Sequence, residues 1–159
     1  MSDSNKVADL KEKLKQALNS TFKVISDDFK LNDKFEKTKD NKKFDYFELD
    51  NLNSKNDFIK ARAESDSSAL KQKFSNDDIF KKNLPSNSSC KSLYTIAEKI
   101  RYESLGGKIL KGIEKNFKDN YSQMISSKRK DQLKTKEDVS VAEAFELYML
   151  KNFHNLELN

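Results

Sequence analysis

Apolar residues recur along most of this chain at helical spacing. Val7, Leu10, Leu14, Ala17, Leu18, Phe22 and Ile25 mark one stripe of an amphipathic helix that Asp3 or Ser4 would cap and that runs to about Ser26. The period then changes: Leu31–Phe35 and Phe44–Leu49 partly alternate on either side of Thr38–Lys43, which predicts a short β-hairpin near residues 30–49. Ser54 with Asp57 three residues on reads as a capping signal, and Phe58, Ile59, Ala63, Leu70 and Phe74 carry a second helix to about Phe74. Pro85 and the run Ser86–Ser89 break the pattern, placing a loop over residues 84–91. From about Ser92 to Met124 comes a long helix or a helix pair, then a basic polar loop through Lys136. A last helix opens at Glu137 and Asp138, with Val141, Ala144, Phe145, Tyr148, Met149 and Phe153 on a shared face. The expected fold is mainly α, an irregular packing of amphipathic helices, with residues 1–159 read as a single module.

The long helical stretch carries all three glycines of the chain, Gly106, Gly107 and Gly112. Each costs a helix interior about 1 kcal/mol relative to alanine, so something other than helix propensity selects them. Close approach of a neighbouring backbone or a partner surface is one explanation, and a break at Gly106–Gly107 is the other. At 3.6 residues per turn Glu98, Arg101, Leu105, Gly112 and Asn116 share a mostly polar stripe, with Ile109 at its edge. Leu93, Ile96, Ala97, Ile100, Ser104 and Gly107 form a separate apolar-to-small face, and Ile109, Ile113, Phe117 and Met124 bury a different side further on. A buried face that rotates at Leu105–Gly107 belongs to a helix held between two neighbours or to two helices meeting there.

Little of this pattern encodes catalysis. Asp66 falls on the apolar stripe of the second helix with Arg62 one turn earlier, so a buried Arg62–Asp66 pair is a candidate, as is an Asp at the wet edge of the stripe or a catalytic carboxylate. His154, the only histidine, lies near the end of the last helix, where a surface position suits the helix dipole. One His and one Cys make no zinc or soft-metal set, and neither a GxxxxGK[ST] loop nor a GxGxxG turn is present, so nucleotide hydrolysis is not encoded in this chain.

Composition narrows the classes further. Hydrophobic residues make up 35%, with eleven Phe and five Tyr, enough for a small aromatic core in 159 residues. The net charge of +5 sits in the second half: residues 1–80 hold 16 basic and 16 acidic side chains, residues 81–159 hold 15 and 10. Lys108, Lys111, Lys115, Lys118, Lys128, Arg129, Lys130, Lys134 and Lys136 would suit an acidic partner. Lysines outnumber arginines 28 to 3, however, which argues against a phosphate-reading surface and hence against nucleic acid. Cys90 is the only cysteine, no stretch approaches 18 apolar residues, and the amino terminus lacks an apolar signal core, so the chain is expected in the cytoplasm, away from membranes. The residues by themselves describe a helical interaction module.

Glu98, Arg101, Glu103, Gly106, Gly112, Asn116 and Phe117 stand as in the pattern E-x-x-R-[VY]-E-[AS]-[LI]-G-x-x-x-[ML]-x-G-[VI]-x-x-N-[LF], and here the chain resembles the amino-terminal region of the cobaltochelatase CobT family. Arg62, Asp66, Ala69 and Leu70 are similar to its R-x-x-A-D-x-x-A-L element, with Ser65 in place of the usual alanine, and Pro85 to the proline that follows. Leu14–Leu18 through Ile25–Asp28, then Leu31–Phe35, resemble its opening helix and extended segment. The chain departs from the family at Ser75, Asn76 and Phe80, where histidines are frequent, and at Gly107, where alanine is common. It also stops before the acidic linker and the von Willebrand A domain of the family, so it is expected to be the amino-terminal part of such a subunit.

The resemblance implies a part in the ATP-dependent insertion of cobalt into hydrogenobyrinic acid a,c-diamide during cobalamin biosynthesis, a nitrogen–metal ligase reaction of a complex. It implies an AAA+ ATPase subunit and a large chelatase subunit as partners, self-association as a further arrangement, and ATP, magnesium and cobalt handled by the complex with no cofactor bound by this chain. Under that reading Glu98, Arg101, Glu103, Gly106, Gly112 and Asn116 form the interface motif. The competing reading is internal: Glu98 and Arg101 pair within the domain, Asn116 caps a turn and the glycines admit a neighbouring helix. The alternative function is a free-standing helical adaptor whose basic second half binds an acidic partner or nucleic acid.

Overall fold

A computed structural model describes residues 2–27, 52, 54–131 and 139–157. All the regular structure among them is α-helical, as the spacing of apolar residues predicts. In chain order the helices are α1 Ser2–Ser26, α2 Lys55–Phe74, α3 Asp77–Asn83, α4 Ser88–Ile109, α5 Lys111–Asp131 and α6 Val141–Phe153. The hairpin expected near residues 30–49 and the basic positions Lys134 and Lys136 lie outside the described residues. The chain divides into two compact units, residues 1–69 and 70–159.

In the first unit α1 ends where its stripe does, with Leu18 and Ile25 buried and Asp27 in the left-handed region at φ 56°, a conformation that Asp tolerates better than most residues. Leu10 and Val24 are exposed, so the inward face is narrower than the run of apolar residues. Ser54 and Asp57 cap α2 reciprocally: the Ser54 amide donates to Asp57 Oδ2 at 2.9 Å and the Asp57 amide to Ser54 Oγ at 3.2 Å. The buried face of α2 within this unit is built from small and polar residues, Ala63, Ser65, Asp66, Ser67 and Ala69.

The second unit takes in Leu70–Phe74 of α2 and everything after. α3 is a helix that apolar periodicity did not reveal, because its seven residues bury nothing. Its Asn76 side chain accepts from the amides of Asp78 and Ile79, each at 3.0 Å, and that cap defines it. Asn87 does the same for α4 through Ser89 and Cys90, which starts that helix at Ser88 and narrows the loop expected over 84–91 to Leu84–Asn87.

α4 packs against both α5 and α6 and is the central helix of the unit. The core consists of Leu70 from α2, Ile100 and Tyr102 from α4, the stripe Ile113, Phe117, Tyr121 and Ile125 from α5, Leu150 from α6 and Leu156 beyond it. The long glycine-bearing stretch is two helices. Their junction is Leu110, in extended backbone at φ −125°, ψ 101°, rather than Gly106–Gly107 three residues earlier. Ile109, expected on the buried side of the second half, is 64% exposed, because that side begins only at Ile113, after the turn. In α6 the face foreseen for Val141, Ala144, Phe145, Tyr148, Met149 and Phe153 is only partly turned inward: Phe145 and Met149 are half-buried, the other four are exposed, Val141 at 78% and Tyr148 at 63%, and Leu150 is the buried residue. The helix is apolar on more than one side, and periodicity could not say which side turns inward.

Candidate functional site

Two polar clusters hold the central helix α4, both within the second unit. The first joins Glu98 and Arg101, one turn apart. Arg101 Nε donates to Glu98 Oε2 at 2.7 Å and Nη2 to Glu98 Oε1 at 2.8 Å, a two-pronged pairing of guanidinium and carboxylate. Nη2 also donates to the carbonyl oxygen of Phe74 at 2.7 Å, and the Ser75 hydroxyl donates to Glu98 Oε1. The pair thus satisfies a carbonyl that the end of α2 leaves without a helical partner. The hydrogen bonds from Arg101, followed by that from Ser75, hold the Glu98 carboxyl below the usual carboxylate range against the opposing effect of burial. Arg101 is raised in turn by its bond to Glu98.

The second cluster is buried and draws on three elements. Tyr121 of α5 donates its hydroxyl hydrogen to Glu103 Oε2 of α4 at 2.6 Å, and both side chains are almost wholly inaccessible. His154 caps the end of α6, its amide donating to the carbonyl of Leu150 at 3.0 Å. It is 2% exposed, contrary to the surface position expected: the chain turns after α6, with Asn155 at φ 50°, and both His154 and Leu156 are buried. Its imidazole lies against the rings of Phe117 and Tyr121, 5.8 and 5.6 Å between centroids. His154 Nε2 is 3.7 Å from Glu103 Oε2, too far for a hydrogen bond, and has no other partner among the described residues. Burial drives its pKa down to about 4, so the ring is neutral at pH 7. Burial, then the charge of Glu103 beside it, pushes the Tyr121 hydroxyl above the usual phenol range. Lys99 closes the outer edge, its Nζ 4.0 Å from Glu103 Oε1 and 5.5 Å from the centroid of the Tyr121 ring. The phenol, locked as donor to the carboxylate, ties α5 to α4, and the neutral imidazole packs against its ring; both are enclosed and offer no nucleophile to solvent.

The structure therefore brings Glu98 and Arg101 together and sends Glu103, from the same motif, to the other side of α4. Gly106 is buried against α2: a Cβ there would lie 2.9 Å from Leu70 Cγ and closer still to its methyl groups. Gly107 faces Glu114 of α5, where a Cβ would make an ordinary contact at 3.4 Å. Gly112 is exposed and has open space around the missing Cβ. Asn116 is half-buried in α5. In the first unit Asp66 is buried, at 2% exposure, whereas Arg62 is exposed.

Sequence reasoning passed over Ser75 and Tyr121 and placed His154 at the surface. Tyr121 was within reach, since it continues the four-residue spacing of Ile113 and Phe117; the burial of His154 carried no signal, because the residue follows the last helical one. Among the described residues no three His, Cys, Asp or Glu side chains converge as metal ligands, Cys90 is exposed, and no helix is long and apolar enough to cross a membrane. A family model described as Cobalamin biosynthesis protein CobT matches residues 8–153. No curated protein and no solved structure gives a match.

Proposed function

The chain belongs to the CobT family, and from that membership we propose that it is the coupling and assembly module of an ATP-dependent cobaltochelatase. In this reading it links an AAA+ ATPase subunit to the large subunit that inserts cobalt, the substrate ion, into hydrogenobyrinic acid a,c-diamide. ATP and magnesium belong to the motor subunit. The observation that carries the proposal is the extent of the family match, residues 8–153, which reaches from within α1 to the end of α6 and spans the Glu98–Phe117 motif.

The geometry is compatible with such a part. A coupling element has to pass on displacement without bending, and α4 is tied by Glu98 and Arg101 to the end of α2 and by Glu103 to α5. The second tie is enclosed, and in this reading the chemistry resides in the other subunits. The test is retention of the AAA+ subunit by the immobilised 159-residue chain, with and without ATP, followed by sizing of the retained complex. Retention in a defined stoichiometry is expected. A folded chain that retains neither the AAA+ nor the large subunit would overturn the proposal.

A further inference from the structure

Three large apolar side chains, Leu105, Ile109 and Leu110, are exposed within six residues where α4 gives way to α5. Leu105 and Ile109 are one turn apart and share a face of α4. Gly112 follows, and nothing among the described residues accounts for it: Gly106 makes room for Leu70, but around Gly112 the space is open to 4 Å. A helical position that lacks a Cβ on an exposed surface lets the backbone of another molecule come close.

Charge decides what kind of molecule. Between Leu105 and Lys118 stand four lysines and one acid, Glu114, which pairs with Lys111 at 3.4 Å and Lys118 at 3.1 Å. Lys108 and Lys115 are exposed, and Glu114, the acid next to Lys115, is taken up by Lys111 and Lys118. A second copy meeting this face with its own would set lysine against lysine, which opposes self-pairing here. Nucleic acid would use the lysines but has no need of three exposed aliphatic side chains. An apolar centre framed by cations matches a helix with an apolar edge flanked by Asp and Glu.

We propose that the α4–α5 corner, formed by Leu105, Ile109, Leu110 and Gly112 with Lys108 and Lys115 beside them, is the docking surface for an acidic amphipathic helix of another chelatase subunit. The inference rests on the assembly role proposed above. It is tested by reconstituting the chain with the AAA+ and large subunits and measuring affinity at low and moderate salt for wild type, Ile109→Asp, the double variant Lys108→Glu/Lys115→Glu, and Lys91→Glu as a control at an exposed lysine near the start of α4. Ile109→Asp should weaken binding about tenfold or more at either salt concentration, as loss of a central apolar anchor does. The double charge reversal should weaken it about tenfold at low salt and less at moderate salt, as screening of rim charges requires. Lys91→Glu should bind as wild type, thermal unfolding should be unchanged in all variants, and carbodiimide crosslinks from Lys108 or Lys115 should reach acids spaced three or four apart on one partner helix. If the complex forms and both corner variants bind as wild type does, the docking inference fails while the assembly role stands. If wild type binds neither subunit, the assembly role fails as well. A wild-type self-associate that Ile109→Asp dissolves would give the corner to a second copy and overturn the inference.

Discussion

The pairing of Glu98 with Arg101 gives the interior account of those two residues a physical form, because a guanidinium that holds a carboxylate and the Phe74 carbonyl braces the chain whatever else binds nearby. Arg101→Ala should lower stability by about 1 kcal/mol in urea unfolding, a small value because the arginine is half exposed and solvent screens the pair. Arg101→Lys should recover only part of it, since an ammonium cannot span two carboxylate oxygens and a carbonyl in the fork geometry. Equal stability of all three proteins would show that the contacts contribute nothing net. His154 makes a sharper prediction. Its folded pKa of about 4 lies below the ordinary 6.5, so between these values the unfolded chain binds the proton more readily than the folded one. The stability it permits is complete above pH 6.5 and is lost as pH falls toward 4, by about 3 kcal/mol at most. The charges that act on it are mixed, with Glu114 opposing the depression and Lys118 and Lys99 adding to it, but burial dominates. Denaturant titrations at pH 7, 6, 5 and 4.5 should show the decline in wild type and a flatter profile in His154→Gln; parallel profiles would refute the assignment.

At the scale of the element, the glycines separate. Gly106→Ala would drive a methyl into the side chain of Leu70, which is fully buried and has nowhere to go, so the variant should lose about 1–3 kcal/mol. Gly112→Ala meets nothing and should be neutral or raise the melting temperature slightly, since alanine favours the helix. Thermal melts that ranked the two alike would contradict the packing. The same contrast shows how far sequence reading reached. Three glycines in one helical stretch signalled close approach, and the signal holds for Gly106. A spacing pattern cannot tell a glycine facing a neighbouring helix from one facing solvent. Helix ends were legible where a side chain makes them, as at Ser54 and Asp57. The turn at Leu110 was not, because a leucine in extended backbone has no chemical mark that distinguishes it from a leucine in a helix.

For the whole molecule, burial is uneven. Among the described residues the large inaccessible apolar side chains concentrate in α4, α5 and α6, whereas α1 buries chiefly Leu18 and Ile25 and leaves Leu10 and Val24 exposed. Amide exchange should therefore be slowest in the middle of α4 and α5 and much faster in α1, and uniform protection would refute that ordering. The sequence by itself determined the helical class, through apolar residues three and four apart. It determined the side-chain-capped helix starts only in part: Ser54 with Asp57 was legible, whereas Asn76 and Asn87 were passed over. It determined family membership through the order of residues from Glu98 to Phe117, because a motif survives without coordinates. Only the tertiary structure decided which faces turn inward, that Glu103, Tyr121 and His154 meet, and that Ile109 and Gly112 stay at the surface. The reason is physical: local pattern fixes the period of a helix, but the side it buries depends on neighbours that are far away in the chain and close in space.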